Sequence, residues 1–433
     1  MKLTHEIRDP IHTFIKLNSD ERKVIDSPPF QRLRHIHQLA MSYLVYPAAT
    51  HKRFEHSLGV MELASRVFDV VTNSEIIHPK VKDLIPEINN QDKLRYWRLV
   101  IRMAALCHDL GHLPFSHAAE KELLPEGWNH ELLTVKIIGD LKHVWQDMTP
   151  PLREIDIQKL AVGPSKLRQY NFSDWETILS EIIVGDAFGV DRMDYLLRDT
   201  YHIGVAYGKF DHYRLIDTLR ILPKEYEESE EPTLGIEEGG LHSSEALLLA
   251  RYFMFSQVYC HDVRRIYDIH LKEFLHIWLD GGKFSTNLSK HQGMTDNDVL
   301  AGLLKAARDT KSPGHELAIR IVDRKHYKVI YSRRQYDLEL NIEPGKAIYL
   351  ALAGKFGMHH VLHDEYPQKG GPPDFPVLCK DESILSSLYL SDVLSNIPLI
   401  SIDNVYVSPE IKDQAEKWLR TNKEKILKGS ENK

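Results

Sequence analysis

The chain has 433 residues, 42% apolar and 27% charged, so it reads as a globular protein with core to spare and no need of a disulfide or a metal to fold. Its 55 Lys and Arg against 62 Asp and Glu give a net charge of −7, which argues against a dedicated nucleic-acid binder. No apolar run approaches the roughly 18 residues of a membrane span, and the opening MKLTHEIRDP lacks the apolar stretch of a secretory signal. Three cysteines (Cys107, Cys260, Cys379) without metal-type spacing fit packing residues in a reducing compartment, so the expected location is cytoplasmic.

In chain order, IRDPIHTFIKLN alternates apolar and polar residues around Asp9-Pro10 and predicts a short hairpin or extended arm. Asp26-Ser27-Pro28-Pro29 supplies helix-start chemistry, and Phe30, Leu33, Ile36 and Leu39 follow at helical spacing. Leu58, Met61, Ala64, Val67, Phe68 and Val71 mark one face of the next helix. Another runs from about Asp92 to Asp109, with Trp97, Val100, Ile101, Ala104 and Ala105 inward and His108 at the end of that face. Ser173-Asp174-Trp175-Glu176 is a capping box before ILSEIIV, and a further helix carries Asp191 through Arg198. Residues 223–240 hold seven glutamates and read as a solvated loop or hairpin. From Ser243 to about Trp278 the pattern is helical, with Ala246, Leu249, Ala250, Phe253 and Val258 inward. HYKVIYSRR and AIYLALA are the strand candidates, residues 365–377 are a Gly/Pro-rich loop, and Ser408 to about Leu427 is a basic amphipathic helix. The expected fold is mainly α: a helical core over residues 1–285, with residues 1–25 as an N-terminal arm, then a smaller mixed α/β region over 286–433.

Among 24 histidines the sharpest constellation is His56, His108-Asp109 and Asp191. Two neutral imidazoles with carboxylates suit a borderline divalent ion such as Mn, Fe, Co, Ni or Zn. Each residue sits where helical periodicity points inward, and ligands from separate helices converge in a bundle interior. His108 and Asp109 lie about 100° apart on a helix, so both reach one ion only where the helix passes close to it, near its end. Gly111 and Pro114 end it there. Taken singly, each of these residues reads more readily as a core or cap residue. The surrounding text carries the signal: Arg53-Phe54-Glu55-His56-Ser57-Leu58-Gly59-Val60, Cys107-His108-Asp109-Leu110-Gly111-His112-Leu113-Pro114-Phe115-Ser116-His117, and Val190-Asp191-Arg192-Met193-Asp194-Tyr195.

These segments closely resemble the HD-domain phosphohydrolases, and within them the deoxynucleoside triphosphate triphosphohydrolase branch. The resemblance covers most of residues 5–275 and is weaker around Arg324-Lys325-His326-Tyr327-Lys328. It implies that His56, His108, Asp109 and Asp191 bind the catalytic metal, and that water attacks the α-phosphorus of a dNTP to release deoxynucleoside and inorganic triphosphate. It implies His117 as general acid, with His112 and His130 (in Trp128-Asn129-His130-Glu131) positioning substrate or water. The bland alternative for each is a hydrogen-bonded histidine that orders its loop. Arg53 and Arg192 are implied to hold the triphosphate, Tyr195 and Tyr267 to contact the sugar, and Gln38-Leu39 to lie beside sugar and base. Relatives commonly place glycine after that Gln-Leu pair, where this chain has Ala40.

Some relatives carry a regulatory nucleotide site at a subunit interface. Asp26, Gln31 and Arg34, with Arg324 and Lys328 from the C-terminal region, match residues of that site, while the arm lysine of some relatives is His5 here. The expected partners are a nucleoside triphosphate substrate, with Mg on its phosphates, a nucleotide effector, and further copies of the chain in a dimer or tetramer. No membrane or nucleic-acid partner is expected. The competing readings are an HD hydrolase of another nucleotide or phosphoester, whose dinuclear centre would draw ligands from His112, His117 and His130, and a non-catalytic nucleotide sensor.

Overall fold

The computed structural model describes residues 4–115, 120–224, 231–366 and 371–429. The protein is mainly helical and folds as two compact units that alternate along the chain. The first comprises Met1–Met254, Phe284–Asp298 and Pro372–Ile397; the second comprises Phe255–Lys283, Val299–Gly371 and Pro398–Lys433. The crossings fall after Met254, Lys283, Asp298, Gly371 and Ile397, so each unit is built from three segments.

The first unit opens with an antiparallel hairpin, His5–Asp9 against Thr13–Leu17, in which Asp9 stands opposite Thr13. Asn18 then caps the helix Ser19–Ile25 in a reciprocal box with Glu21. The Phe30-to-Leu39 stretch is not one helix. Pro28–Arg32 is helical, Leu33–His35 is a 3-10 turn, and the chain then turns outward to pair with the segment before His56. Gln38 N donates to His51 O at 3.0 Å and Arg53 N to Ile36 O at 3.0 Å, so pairing across the chain replaces the helical bonds that the apolar spacing predicted.

Three helices frame the centre of this unit: Arg53–Val71, Gln91–Cys107 and Val190–Ile203. Leu58, Met61, Ala64, Val67, Phe68 and Val71 are all buried, as their spacing predicts. The Ser173/Glu176 capping box starts the helix Asp174–Val184. The glutamate-rich segment contributes to an antiparallel pair of Leu219–Pro223 with Pro232–Glu237; residues 225–230 lie outside the described residues. That pair belongs to a four-stranded sheet with Pro376–Leu378 and Ile384–Ser386. The expected loop at 365–377 is shorter than the sequence suggests, since the strands Val361–Tyr366 and Pro376–Leu378 run into its two ends; residues 367–370 lie outside the described residues.

The long helix expected over 243–278 is broken. Leu241–Met254 ends in a wider turn at Phe255–Tyr259, and a new helix, Asp262–Trp278, begins in the second unit. Its first half buries Ser244, Leu247, Leu248, Ala250 and Met254, leaving Phe253 41% exposed, so the inward face is rotated from the expected one.

The second unit holds an antiparallel three-stranded sheet in the order Lys328–Ser332, Ile402–Val407, Val361–Tyr366. AIYLALA is not a strand. It lies in the helix Pro344–Phe356, with Pro344 in the first turn and Ile348, Leu352 and Ala353 buried in one core cluster with Val361, Val405, Val407, Ala415 and Leu419. Alanine and leucine favour the helix, and the i, i+4 pair Ile348–Leu352 supplies its inner face. The basic tail helix is Lys412–Leu427. Among the described residues no helix is long and apolar enough to cross a membrane.

Candidate metal centre

His56 lies in the first turn of Arg53–Val71, His108 at the C-terminal cap of Gln91–Cys107, Asp109 just beyond it, and Asp191 in the first turn of Val190–Ile203. Ligating atoms of His56, His108 and Asp191 all lie within 4.8 Å of one another. His56 Nε2 stands 3.0 Å from Asp191 Oδ1 and 3.8 Å from Asp109 Oδ2. His108 Nε2 stands 3.5 Å from Asp191 Oδ1 and 3.3 Å from Asp109 Oδ1. Gly111 lets the chain turn tightly after Asp109: a side chain there would come within 2.1 Å of His130 O. Thr134 Oγ1 ties the turn down, accepting from Gly111 N at 2.9 Å and donating to His108 O at 3.1 Å.

The donor set fits a transition metal. His56 Nδ1 donates to Asp194 Oδ2 at 2.9 Å and His108 Nδ1 to Ala105 O at 2.8 Å. Each ring is thereby held in the tautomer that turns a bare Nε2 lone pair inward, the arrangement that outer partners of metal-bound histidines enforce. His108 Nε2 is buried without a hydrogen-bond partner among the described residues. With bonds of about 2.1 Å, neighbouring ligands lie about 3.0 Å apart in an octahedron and about 3.4 Å in a tetrahedron. Two of the four nitrogen–oxygen spacings, 3.0 and 3.3 Å, fall in that range, and the other two, 3.5 and 3.8 Å, lie above it.

The charges agree with this reading. Although burial opposes ionisation, Arg53 and the neighbouring histidines hold the Asp109 carboxyl well below the usual range, and His108 and His56 do the same for Asp191. Burial likewise opposes a charged His56, yet hydrogen bonds from its ring to Asp191 and Asp194 raise it to about 10. A divalent cation would take the place of that proton, since metal and proton compete for the same lone pair. Burial and the nearby Arg53 guanidinium depress His112 well below its usual value, so it stays neutral.

His112 Nε2 donates to Asp109 Oδ1 at 2.9 Å, and its ring stacks on His130 with centroids 4.1 Å apart. His130 Nδ1 in turn meets Glu120 Oε1 at 2.7 Å, and that contact holds the Glu120 carboxyl below its usual range against the opposing effect of burial. His117 lies outside the described residues. Glu120, His130 and Glu131 form a second group that could hold a cation among the described residues. Behind Phe115, Asp296 accepts from Phe115 N at 2.8 Å, His37 N at 2.7 Å and His37 Nδ1 at 2.6 Å, pinning the loop that follows His112.

Of the expected substrate residues, Arg53 Nη1 donates to Asp109 Oδ2 at 2.6 Å, beside the ligands. Arg192 is turned away: it donates to the carbonyls of Gly185 and Asp186 and pairs with the Asp186 carboxylate at 3.2 Å, so it does not share Arg53's contacts. Tyr195 is half-buried against Arg192. Gln38 and Leu39 are buried, and Gln38 Oε1 has no hydrogen-bond partner among the described residues. Tyr267 belongs to the second unit, where its hydroxyl meets His326 Nδ1 at 3.0 Å.

The expected effector residues also divide. In the first unit Arg34 Nε donates to Gln31 Oε1 at 2.8 Å and its guanidinium covers the Phe54 ring at 3.5 Å, while exposed Asp26 pairs with Arg22 at 3.2 Å. In the second unit Lys328 Nζ lies 3.0 Å from His326 Nε2 and Arg324 has a φ of 56°. Sequence reasoning missed Asp194, Glu120 and Asp296. Asp194 was signalled by its i+3 spacing from Asp191, whereas Asp296 lies 181 residues from Phe115 and nothing local marks it.

Residues 53–163 match the HD domain family and residues 210–346 the HD associated region. An uncharacterized protein of Methanocaldococcus jannaschii, MJ1154, is 38% identical over 61% of this chain and 48% of its own length. Deoxynucleoside triphosphate triphosphohydrolase SAMHD1 of Danio rerio is 34% identical over 49% of this chain and 36% of its own. The chain thus spans about half or less of the length of these curated relatives. The crystal structure of a hypothetical protein from Aquifex aeolicus superposes with a TM-score of 0.77 at 31% identity, covering 96% of this chain and 99% of that one. With an HD domain, an HD associated region and likeness along nearly its whole length to a solved relative, the chain belongs to the HD-domain family.

Proposed function

We propose that the protein is a metal-dependent phosphohydrolase that cleaves dNTPs at the α-phosphorus to deoxynucleoside and inorganic triphosphate. The observation that carries the hydrolase reading is the convergence of two inward-facing imidazole Nε2 atoms with the Asp191 carboxylate, its ligating atoms within 4.8 Å of theirs. The choice of dNTP rests on the similarity to the vertebrate SAMHD1 proteins. His56, His108, Asp109 and Asp191 would hold the ion, a transition metal by its donor set, with Mg accompanying the substrate phosphates. When bound, such an ion lowers the pKa of water and polarises a phosphoryl oxygen. Arg53 adds positive charge at Asp109, where the phosphates gather. Neutral His112 holds Asp109 in place through its N–H. Glu120 fixes His130 through Nδ1 and the ring stacks on His112; this histidine is assigned the orienting of water or substrate. His117 is assigned the proton for the leaving 5′ oxygen, and His117→Ala is expected to lower kcat by about 10²–10⁴ with metal content unchanged.

The test is to load the protein with Mn²⁺, offer each dNTP singly and in pairs, and resolve triphosphate from diphosphate. His56→Ala and Asp191→Ala are expected to lose both bound metal and hydrolysis while keeping helical content. Full activity in both variants, or a wild type that releases only diphosphate, overturns the reading. The Glu120–His130–Glu131 group supports one second reading, a dinuclear HD hydrolase of another phosphoester; two ions per chain would favour it. We also propose that Asp26, Gln31 and Arg34, with Arg324 and Lys328, bind an activating nucleotide in a dimer or tetramer. Sedimentation with and without nucleotides tests this, alongside activity of Arg34→Ala; a monomer unaffected by that change overturns it.

A further inference from the structure

The N-terminal hairpin reaches the metal centre through a closed ring of buried hydrogen bonds. Asp9 Oδ1 accepts from Ile11 N at 2.9 Å and His12 N at 2.8 Å, which fixes the turn between the two strands. His12 Nε2 then donates to Asp194 Oδ1 at 2.7 Å. Arg198 grips both oxygens of Asp194, at 2.9 and 2.8 Å, and its remaining nitrogen returns to Asp9 Oδ2 at 2.8 Å. Asp9 is 3% exposed, His12 4%, and Asp194 and Arg198 0%. Asp194 thus receives two donors on each oxygen, the fourth being His56 Nδ1 at 2.9 Å.

A carboxylate so saturated has no freedom to rotate, and its orientation sets that of the His56 ring. His12 Nδ1 has no hydrogen-bond partner among the described residues, so the ring is tied down through Nε2, which aims at one carboxylate oxygen. Of the donors on Asp194, only His12 comes from the arm; two come from Arg198 on Asp194's own helix, one turn away. Without His12, Asp194 Oδ1 would keep only its own-helix partner and could swing about Cγ, taking the acceptor of His56 Nδ1 with it.

We propose that His12, seated by Asp9, is a positioning residue of the metal centre, and that the N-terminal hairpin sets metal affinity by orienting Asp194 and through it His56. The inference rests on the metal reading above. The experiment titrates metal-free protein with Mn²⁺ alone and records the visible spectrum with Co²⁺, for wild type, His12→Leu, His12→Gln and His56→Ala. Gln keeps an N–H donor at the position of the imidazole Nε2; Leu keeps bulk only.

Loss of an outer-shell partner costs about 10–100-fold in metal affinity. His12→Leu is expected to bind Mn²⁺ that much more weakly, with an altered Co²⁺ spectrum and native circular dichroism, and His12→Gln to recover most of the loss. Should His12→Leu fail to fold, His12→Phe carries the same expectation, because it keeps a planar ring while removing the N–H donor to Asp194. If wild type and His56→Ala differ but His12→Leu binds like wild type, or His12→Gln is as weak as His12→Leu, the positioning role falls and the metal reading stands. If wild type takes up no Mn²⁺ or Co²⁺, both fall together.

Discussion

At the scale of single residues, the conformations around the centre explain choices that composition leaves obscure. Ala40 has a φ of 47° and is 1% exposed, so it holds a left-handed backbone where relatives commonly carry glycine. The strain of an L-residue there is about 1–2 kcal/mol, which a glycine avoids at an entropic cost of roughly 0.5–1 kcal/mol. Ala40→Gly is therefore expected to leave stability unchanged or raise it by up to about 1 kcal/mol, whereas Ala40→Val should lose about 2 kcal/mol or more. Urea unfolding decides it: a clear loss in the glycine variant would mean that the buried methyl outweighs the strain. Thr13 (φ 66°) and Phe115 (φ 51°) share this geometry, one beside His12 and the other after the HD loop. Among the described residues Arg324 (φ 56°) and Glu382 (φ 67°) share it too, so such backbone is not confined to the neighbourhood of the centre.

At the scale of elements, the approach of the His56 helix to the Asp191 helix depends on Gly59. A side-chain carbon there would stand 1.9 Å from Asp194 Oδ1 and 2.4 Å from an Arg198 nitrogen. Overpacking of this kind typically costs about 1–3 kcal/mol. Gly59→Ala is expected to lose that much stability and to weaken metal binding, read by unfolding and by Mn²⁺ titration on the same sample; normal metal binding would show that the helices separate without disturbing Asp194. The same helices show what was readable in the sequence. His56 and Asp191 lie in the first turns of long helices and His108 caps another, so spacing and the motifs around them together marked them. The Asp9-Pro10 turn and the Ser173 cap are local chemistry and were equally plain. AIYLALA was not, because a short apolar run lacks the length to distinguish a period of 2 from one of 3.6, and the partner that decides it, the Ile402–Val407 strand, lies about fifty residues on. Arg192 shows a different limit: adjacency to a candidate ligand does not fix direction, and two carbonyls hold its guanidinium.

Over the whole molecule, buried neutral histidines set the response to acid. Burial depresses His202 to about 4, His291 to about 3 and His326 to about 4, from 6.5. Because the folded values lie below the unfolded ones, their contribution is fully present above about pH 6.5 and is lost as pH falls toward the folded values. Each such group steepens the acid limb by up to about 1.4 kcal/mol per pH unit. Stability to urea is expected to fall between pH 6.5 and 4, and His291→Leu to flatten that fall by about one proton's worth; parallel curves for wild type and variant would show that His291 stays neutral in neither state or both.

The alternation of the two units along the chain bears on how such a protein can be inherited. The 284–298 return segment brings Asp296 to Phe115 N and His37 N, so the loop carrying His112 is finished by residues that come after a stretch of the other unit. A gene fragment ending at residue 285 would encode every candidate metal ligand yet omit the clasp behind them. The catalytic core is thus not a cassette that recombination can lift out and fuse elsewhere in one cut.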